Sequence, residues 1–250
     1  MKNIVNIEKL SKRYAGEQEF ALRDVCLDIP QGMFFGLLGP NGSGKTTLIS
    51  ILCGFLPPTQ GTVTIDGKVL PKYVRHIKPL LGLVPQELAL YPTLTLQENL
   101  RFFGRLYGLS ERNLKSHIED CLKITGLKKV AHKQVMHFSG GMKRRANLLV
   151  GLLHKPKILF LDEPTVNVDP QSRHVIFEIL KDLHKAGTSL IYTTHYLEEA
   201  ETLCDHVAII DRGVINISGE PKKLIAAYKG CSNLGEVFLH LTGKELRDST

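Results

Sequence analysis

Apolar and polar residues alternate through "NIVNIEKL" (residues 3–10) and through "DVCLDI" (24–29), the period of a strand with one wet face. "GTVTIDG" (61–67) alternates too and ends in the Asp-Gly pair typical of a hairpin turn. These segments predict an antiparallel β layer near the N-terminus. "MFFGLLG" (33–39) is different: it is almost wholly apolar and runs into glycines, as a strand buried on both faces does.

The pattern then changes period. Thr95 and Glu98 form a capping-box pair ahead of "NLRFFGRLYGL", and a second helical pattern covers about Ser110 to Thr125, with Gly126 placed to end it. The stretch from about 87 to 152 reads as mostly helical. After it, "KILFLDEP" (157–164) is another buried strand, and Pro170 sits at a first helical position of the following helix. "TSLIYTTH", a short helix and "HVAIIDRG" complete an alternation of strands and helices, which implies a parallel sheet. The expected fold is α/β, with a mainly parallel sheet, an N-terminal antiparallel β layer and an inserted helical subdomain. The expected division is a core of about 1–86 and 153–250 around a helical subdomain of about 87–152.

Composition adds bounds. With 250 residues and 43% apolar content the chain can fill one full core. The net charge of +7 permits nucleic acid or an anionic surface as a partner. The basic residues are spread, however, and the densest groups, Lys143-Arg144-Arg145, Lys128-Lys129 and Lys222-Lys223, read as solvated helix faces. The five cysteines have no CxxC spacing, and four of them sit among apolar residues as buried thiols do. That points to a reducing compartment, without a zinc site or a disulfide framework. No apolar run approaches the length of a membrane span, and the start lacks the apolar core of a signal peptide, so a cytosolic chain is expected.

The chemistry concentrates in two places. "GPNGSGKT", residues Gly39, Pro40, Asn41, Gly42, Ser43, Gly44, Lys45 and Thr46, matches the phosphate-loop pattern between a buried strand and a helix that continues through Thr47. Gly42 and Gly44 leave room for the backbone to wrap phosphates, Lys45 reaches the β and γ oxygens, and Thr46 offers a hydroxyl to Mg²⁺. At the end of "ILFLDEP", Asp162 is placed to hold the Mg²⁺ shell, and Glu163 to accept a proton from an attacking water or to orient it. Neighbouring strand residues face opposite ways, but the twist relaxes at a strand end. A second anion cradle is legible in "FSGGMKRR": Ser139, Gly140 and Gly141 open a helix whose first N–H groups are unpaired.

Taken in order, the phosphate loop, Gln86 in "LVPQE", "FSGGM", "ILFLDEP", "NVDP" and His195 in "YTTH" resemble the ATP-binding-cassette ATPases over nearly the whole chain. The resemblance implies that two copies pair head to tail, each phosphate loop closed by the partner's Ser139-Gly140-Gly141 turn. That would explain two cradles in one chain. It further implies that Tyr14 stacks on adenine, that Gln86 links Mg²⁺ to the helical subdomain, that Asp169 lies on a loop crossing the dimer interface, and that His195 contacts the γ-phosphate and organises Glu163 and water. ATP and Mg²⁺ are the implied cofactors. Phe138 departs from the usual leucine, and Asn167-Val168 from the usual Gly-Leu, although asparagine tolerates a left-handed backbone.

"SGGMKRR", "YLEEAETLCDHVAIIDRG" and the tail "EVFLHLTGKELRD" resemble exporter-type subunits that serve separate membrane permeases for drugs, polysaccharides or antibiotics. The implied partners are a second cassette and an integral-membrane permease, at the cytoplasmic face of the membrane, with no nucleic acid expected. The tail resembles the ending of a complete subunit. The alternatives are a single-cassette ATPase acting on nucleic acid or the ribosome, and a regulatory module that binds nucleotide without hydrolysis. Finally, "ELALYPTLT" (87–95) carries Leu88, Leu90, Tyr91 and Leu94 among turn formers, so this loop is either tucked under the helical subdomain or open to a partner.

Overall fold

The fold is that of a computed structural model, in which residues 2–243 are described; "KELRD" of the tail lies outside them. In chain order come β1 (Asn3–Arg13), β2 (Phe20–Pro30), β3 (Phe34–Leu38), α1 (Lys45–Leu52), β4 (Gln60–Ile65), β5 (Lys68–Leu70), α2 (Val74–Ile77), β6 (Leu81–Val84), α3 (Leu96–Leu106) and α4 (Glu111–Ile124). There follow α5 (Gly140–Leu152), β7 (Ile158–Asp162), α6 (Pro170–Lys185), β8 (Ser189–Thr194), α7 (Leu197–Leu203), β9 (His206–Asp211), β10 (Val214–Gly219), α8 (Pro221–Ala227) and α9 (Leu234–Thr242). They fall into two compact units, Met1–Lys78 with Ser189–Thr250, and Pro79–Thr188.

In the first unit β1 pairs antiparallel with β2 and β4, and β5 closes the layer as a hairpin on β4. Asp66 and Gly67 both have positive φ, 48° and 75°, as the Asp-Gly signal requires for a two-residue turn. The inward residues of β1, among them Ile4, Val5, Ile7 and Leu10, are buried. The second group of strands is built on β3, which runs parallel to both β8 and β9, while β10 returns antiparallel to β9. Every residue of β3 and β8 is buried, which accounts for the unbroken apolar run of β3 and for Leu190, Ile191 and Tyr192 in β8.

The second unit holds the helical stretch and also the parallel pair β6–β7 and helix α6. Its helices begin where the caps were expected. Thr95 and Glu98 form the complete capping box of α3, Ser110 caps α4, and Gly126 leaves that helix at φ 68°. The loop before α3 contains no helix and divides its residues: Leu90 is 8% exposed and Tyr91 47%.

Two sequence expectations change. Three cysteines, Cys53, Cys121 and Cys204, are buried, whereas Cys26 is exposed and Cys231 partly so, because the flanking apolar residues of β2 face the other side of the strand. Burial pushes the Cys121 thiol up to about 12. The group Lys143-Arg144-Arg145 is not a solvated face, since Arg144 is buried and Arg145 donates from Nη1 to the carbonyl of Thr125.

Candidate functional site

In the first unit the phosphate loop leaves β3 at Gly39 and enters α1 at Lys45. Gly42 and Gly44 take left-handed φ of 77° and 109°, so the loop can turn back on itself within a few residues. Their lost Cβ atoms serve different purposes. One at Gly42 would meet nothing, leaving the loop open on that side, whereas one at Gly44 would run into the Ala21 carbonyl and Leu22. Gly44 therefore makes room for β2.

Lys45 is buried, and its Nζ donates to the carbonyls of Gly39 at 2.8 Å and Pro40 at 3.0 Å. Ser43 Oγ is buried without a hydrogen-bond partner among the described residues, a costly arrangement for a hydroxyl unless a ligand completes it. Thr46 is exposed beside it, and Thr47 Oγ1 lies 3.1 Å from the Tyr14 hydroxyl. Tyr14 and Gly42 line one depression of about 540 Å³ together with Phe20, Arg23 and Arg212. The two arginines were not singled out from sequence. The β9–β10 turn brings Arg212 here, since the Gly213 N–H donates to Ser43 and its carbonyl accepts from Arg23. His195 follows β8 directly, with its ring 4.1 Å from that of Tyr196.

In the second unit Asp162 and Glu163 end β7, both buried. The strand twist does not simply relax there. Glu163 has φ 47°, so the backbone turns left-handed at the acid and breaks the alternation of faces. Gln86 Nε2 lies 3.5 Å from Glu163 Oε2. Asn167 is left-handed too, at φ 58°, as its side-chain type allows.

The turn at 138–142 divides its labour. Ser139 caps α5, its hydroxyl accepting from the Met142 N–H at 3.2 Å. Gly140 is open, but a Cβ on Gly141 would overlap Ser172. Asp169 caps α6 by accepting from the Ser172 N–H at 2.9 Å, and the backbone and hydroxyl of Ser172 hold its carboxyl below the usual carboxylate range. Further along α5, Arg144 donates from Nη1 to the Gln86 carbonyl at 2.6 Å and from Nη2 to Val166 at 3.3 Å. One turn on, Asn147 accepts from the Ala89 N–H and donates to the Pro85 carbonyl. One face of α5 thus grips the chain on both sides of Gln86. Helical spacing between 144 and 147 was the available signal for this grip.

Comparison with known proteins identifies the family. The family profile described as ABC transporter matches residues 22–166. The linearmycin resistance ATP-binding protein LnrL of Bacillus subtilis is 42% identical over 240 residues, 96% of this chain and 75% of that protein. The Nod factor export ATP-binding protein I of Cupriavidus pinatubonensis is 39% identical, over 91% of this chain and 70% of its own length. Among solved structures, an ATP-binding subunit of an ABC transporter superposes with a TM-score of 0.85 at 28% identity, covering 96% of this chain and 99% of the other. A dimeric post-hydrolysis state of the ATP-binding cassette MJ0796, bound to ADP and Pi, gives 0.78 at 27% identity, covering 86% of this chain and 98% of the other. The chain belongs to the ABC transporter family as an ATP-binding cassette.

Proposed function

We propose that this cassette hydrolyses ATP with Mg²⁺, pairs with a second cassette when ATP is bound, and drives export through a separate permease at the cytoplasmic face of the membrane. The observation that carries the reading is the phosphate loop itself. A buried Ser43 hydroxyl lacking a partner among the described residues, an open Gly42 and a buried Lys45 ammonium make a socket that an anion would complete.

The donors fit the cofactors. Each unit carries donors of the hard type Mg²⁺ takes, which would hold it: the Thr46 hydroxyl in the first, the Asp162 carboxylate and the Gln86 amide oxygen in the second. When bound, that ion neutralises charge on the phosphate oxygens. Lys45 would hold the β and γ oxygens, and the loop from Gly39 to Thr47 would wrap the phosphates, with backbone N–H groups from Asn41 onwards because Pro40 has none. Tyr14 supports the base, Glu163 accepts the proton of an attacking water, and His195 orients that water against the phosphate. Ser139, Gly140 and Gly141 close the partner's site. The helical subdomain, about 87–152, carries this turn, and Leu88 and Tyr91 receive the permease. The relatives named for linearmycin resistance and for Nod factor export support an exporter.

The test is phosphate release by the purified chain. Turnover should need both Mg²⁺ and Lys45, so EDTA or Lys45→Ala should abolish it. The chain should also co-purify with a membrane permease and form ATP-dependent dimers as Glu163→Gln. Turnover unaffected by Lys45→Ala would overturn the reading.

A further inference from the structure

Glu199 is a buried carboxylate that the site described above does not use. An ionised group is costly to bury unless hydrogen bonds replace its water. Its Oε2 accepts from the Tyr192 hydroxyl at 2.5 Å and from Thr194 Oγ1 at 3.1 Å. Both donors lie on β8 two residues apart, hence on one face of the strand. The Thr194 hydroxyl in turn accepts the N–H of Tyr196 at 2.9 Å, and the Thr194 carbonyl faces the Gly39 N–H at 3.4 Å. His195 is therefore bracketed. The residue before it is held by Glu199, and the residue after it is held by Thr194.

The arrangement departs from ordinary helix capping in an informative way. Tyr196 is the N-cap of α7 and Glu199 stands three residues on, where a capping-box glutamate reaches back to the N-cap amide. Here that amide is satisfied by Thr194, and the glutamate reaches past it to two strand hydroxyls. The helix start is thereby tied to the strand end across the one residue between them, His195.

We propose that Glu199 is a positioning residue for His195: through Tyr192 and Thr194 it fixes the backbone at 194–196 and with it the imidazole, without touching nucleotide itself. The proposal rests on the reading of His195 as the residue that orients the attacking water.

The test compares ATP titrations of phosphate release for Glu199→Ala, Glu199→Gln, His195→Ala and the double variant, each checked for folding by Tm. Glu199→Ala should lower kcat about 10- to 100-fold, the scale of a small misplacement at a reacting centre, and move KM for ATP less than about threefold. Glu199→Gln keeps an oxygen that accepts from both hydroxyls and should stay within about threefold of wild type. Because Glu199 acts through His195, the double variant should be no slower than His195→Ala alone. If Glu199→Ala does not fold, Tyr192→Phe removes one of the two bonds and should lower kcat with the same unchanged KM. A folded Glu199→Ala with wild-type kcat beside a slow His195→Ala overturns the proposal alone, as do effects that multiply in the double variant. A His195→Ala protein with wild-type kcat overturns the reading of His195 and the proposal with it.

Discussion

Gln86 reaches Glu163 with its side-chain amide, Nε2 to Oε2 at 3.5 Å, while its carbonyl is gripped by Arg144 from the helix that begins at Ser139. The contact to the acid is at the long end of hydrogen bonding and the grip on the carbonyl is short, so the loop is anchored to α5 more firmly than to the acid. A change at the start of α5 therefore has a physical path to the neighbourhood of Glu163.

Glu163→Gln should retain ATP binding and lose turnover by about 100-fold or more, because an amide cannot take the proton of the attacking water. Shape is conserved, so Tm should not fall. Phosphate release and nucleotide affinity measured on one preparation check this, and full turnover would remove Glu163 from the base role.

Gly140 and Gly141 should respond oppositely to an added methyl. Gly140→Ala meets open space and should leave Tm within a degree or two. Gly141→Ala forces a Cβ into Ser172 and should cost about 1–3 kcal/mol, the range for overpacking. Adding Ser172→Gly removes the clashing side chain and should restore part of that loss, less the cost of a glycine inside a helix. Denaturant titration of the four proteins decides it.

Much of this architecture was legible because its causes are local. The Thr95–Glu98 box, the Ser110 cap, Pro170 at a helix start and the Asp-Gly turn each act within a few residues. What escaped depends on partners far along the chain. Arg144 reads as part of a solvated basic run, and its partners, the Gln86 and Val166 carbonyls, lie 58 and 22 residues away. The purpose of Gly141 rests on Ser172, and the left-handed backbone at Glu163 has no signal in its residue type, since glutamate seldom adopts it. Arg23 and Arg212 carried no motif at all, and it is the β9–β10 turn that sets them beside the phosphate loop.

The two open readings of the 87–95 loop resolve residue by residue. Leu90→Asp buries a carboxylate in an apolar site and should prevent stable folding. Tyr91 is exposed, its ring edge-on to Phe102 at 5.1 Å. Tyr91→Asp should leave basal hydrolysis near wild type and weaken co-purification with a permease. Equal Tm for the two variants would contradict the assignment of Leu90 to the core.

His154 predicts an acid weakness. Its Nε2 meets the Leu81 carbonyl at 2.8 Å, its ring stacks on Tyr107 at 4.0 Å, and its buried Nδ1 has no partner among the described residues. Burial holds its pKa below the ordinary imidazole value, about 6.5. The unfolded chain then binds the proton more readily than the folded one. The contribution of His154 is complete above about pH 6.5 and is lost as pH falls towards the folded pKa. Between pH 7.5 and 5.5 the wild type should lose more Tm than His154→Gln, and equal losses would refute the assignment.

The left-handed backbone at Glu163 sets two selective pressures against each other. A non-glycine residue held at φ 47° costs on the order of 1 kcal/mol, and glycine would remove that cost. The residue that the main chain favours is thus one without a carboxylate. Selection for heat resistance alone would drift towards Glu163→Gly, giving a sturdier protein without the carboxylate proposed to take the proton of water. An engineer screening this cassette for thermal tolerance should therefore expect inactive winners at this position.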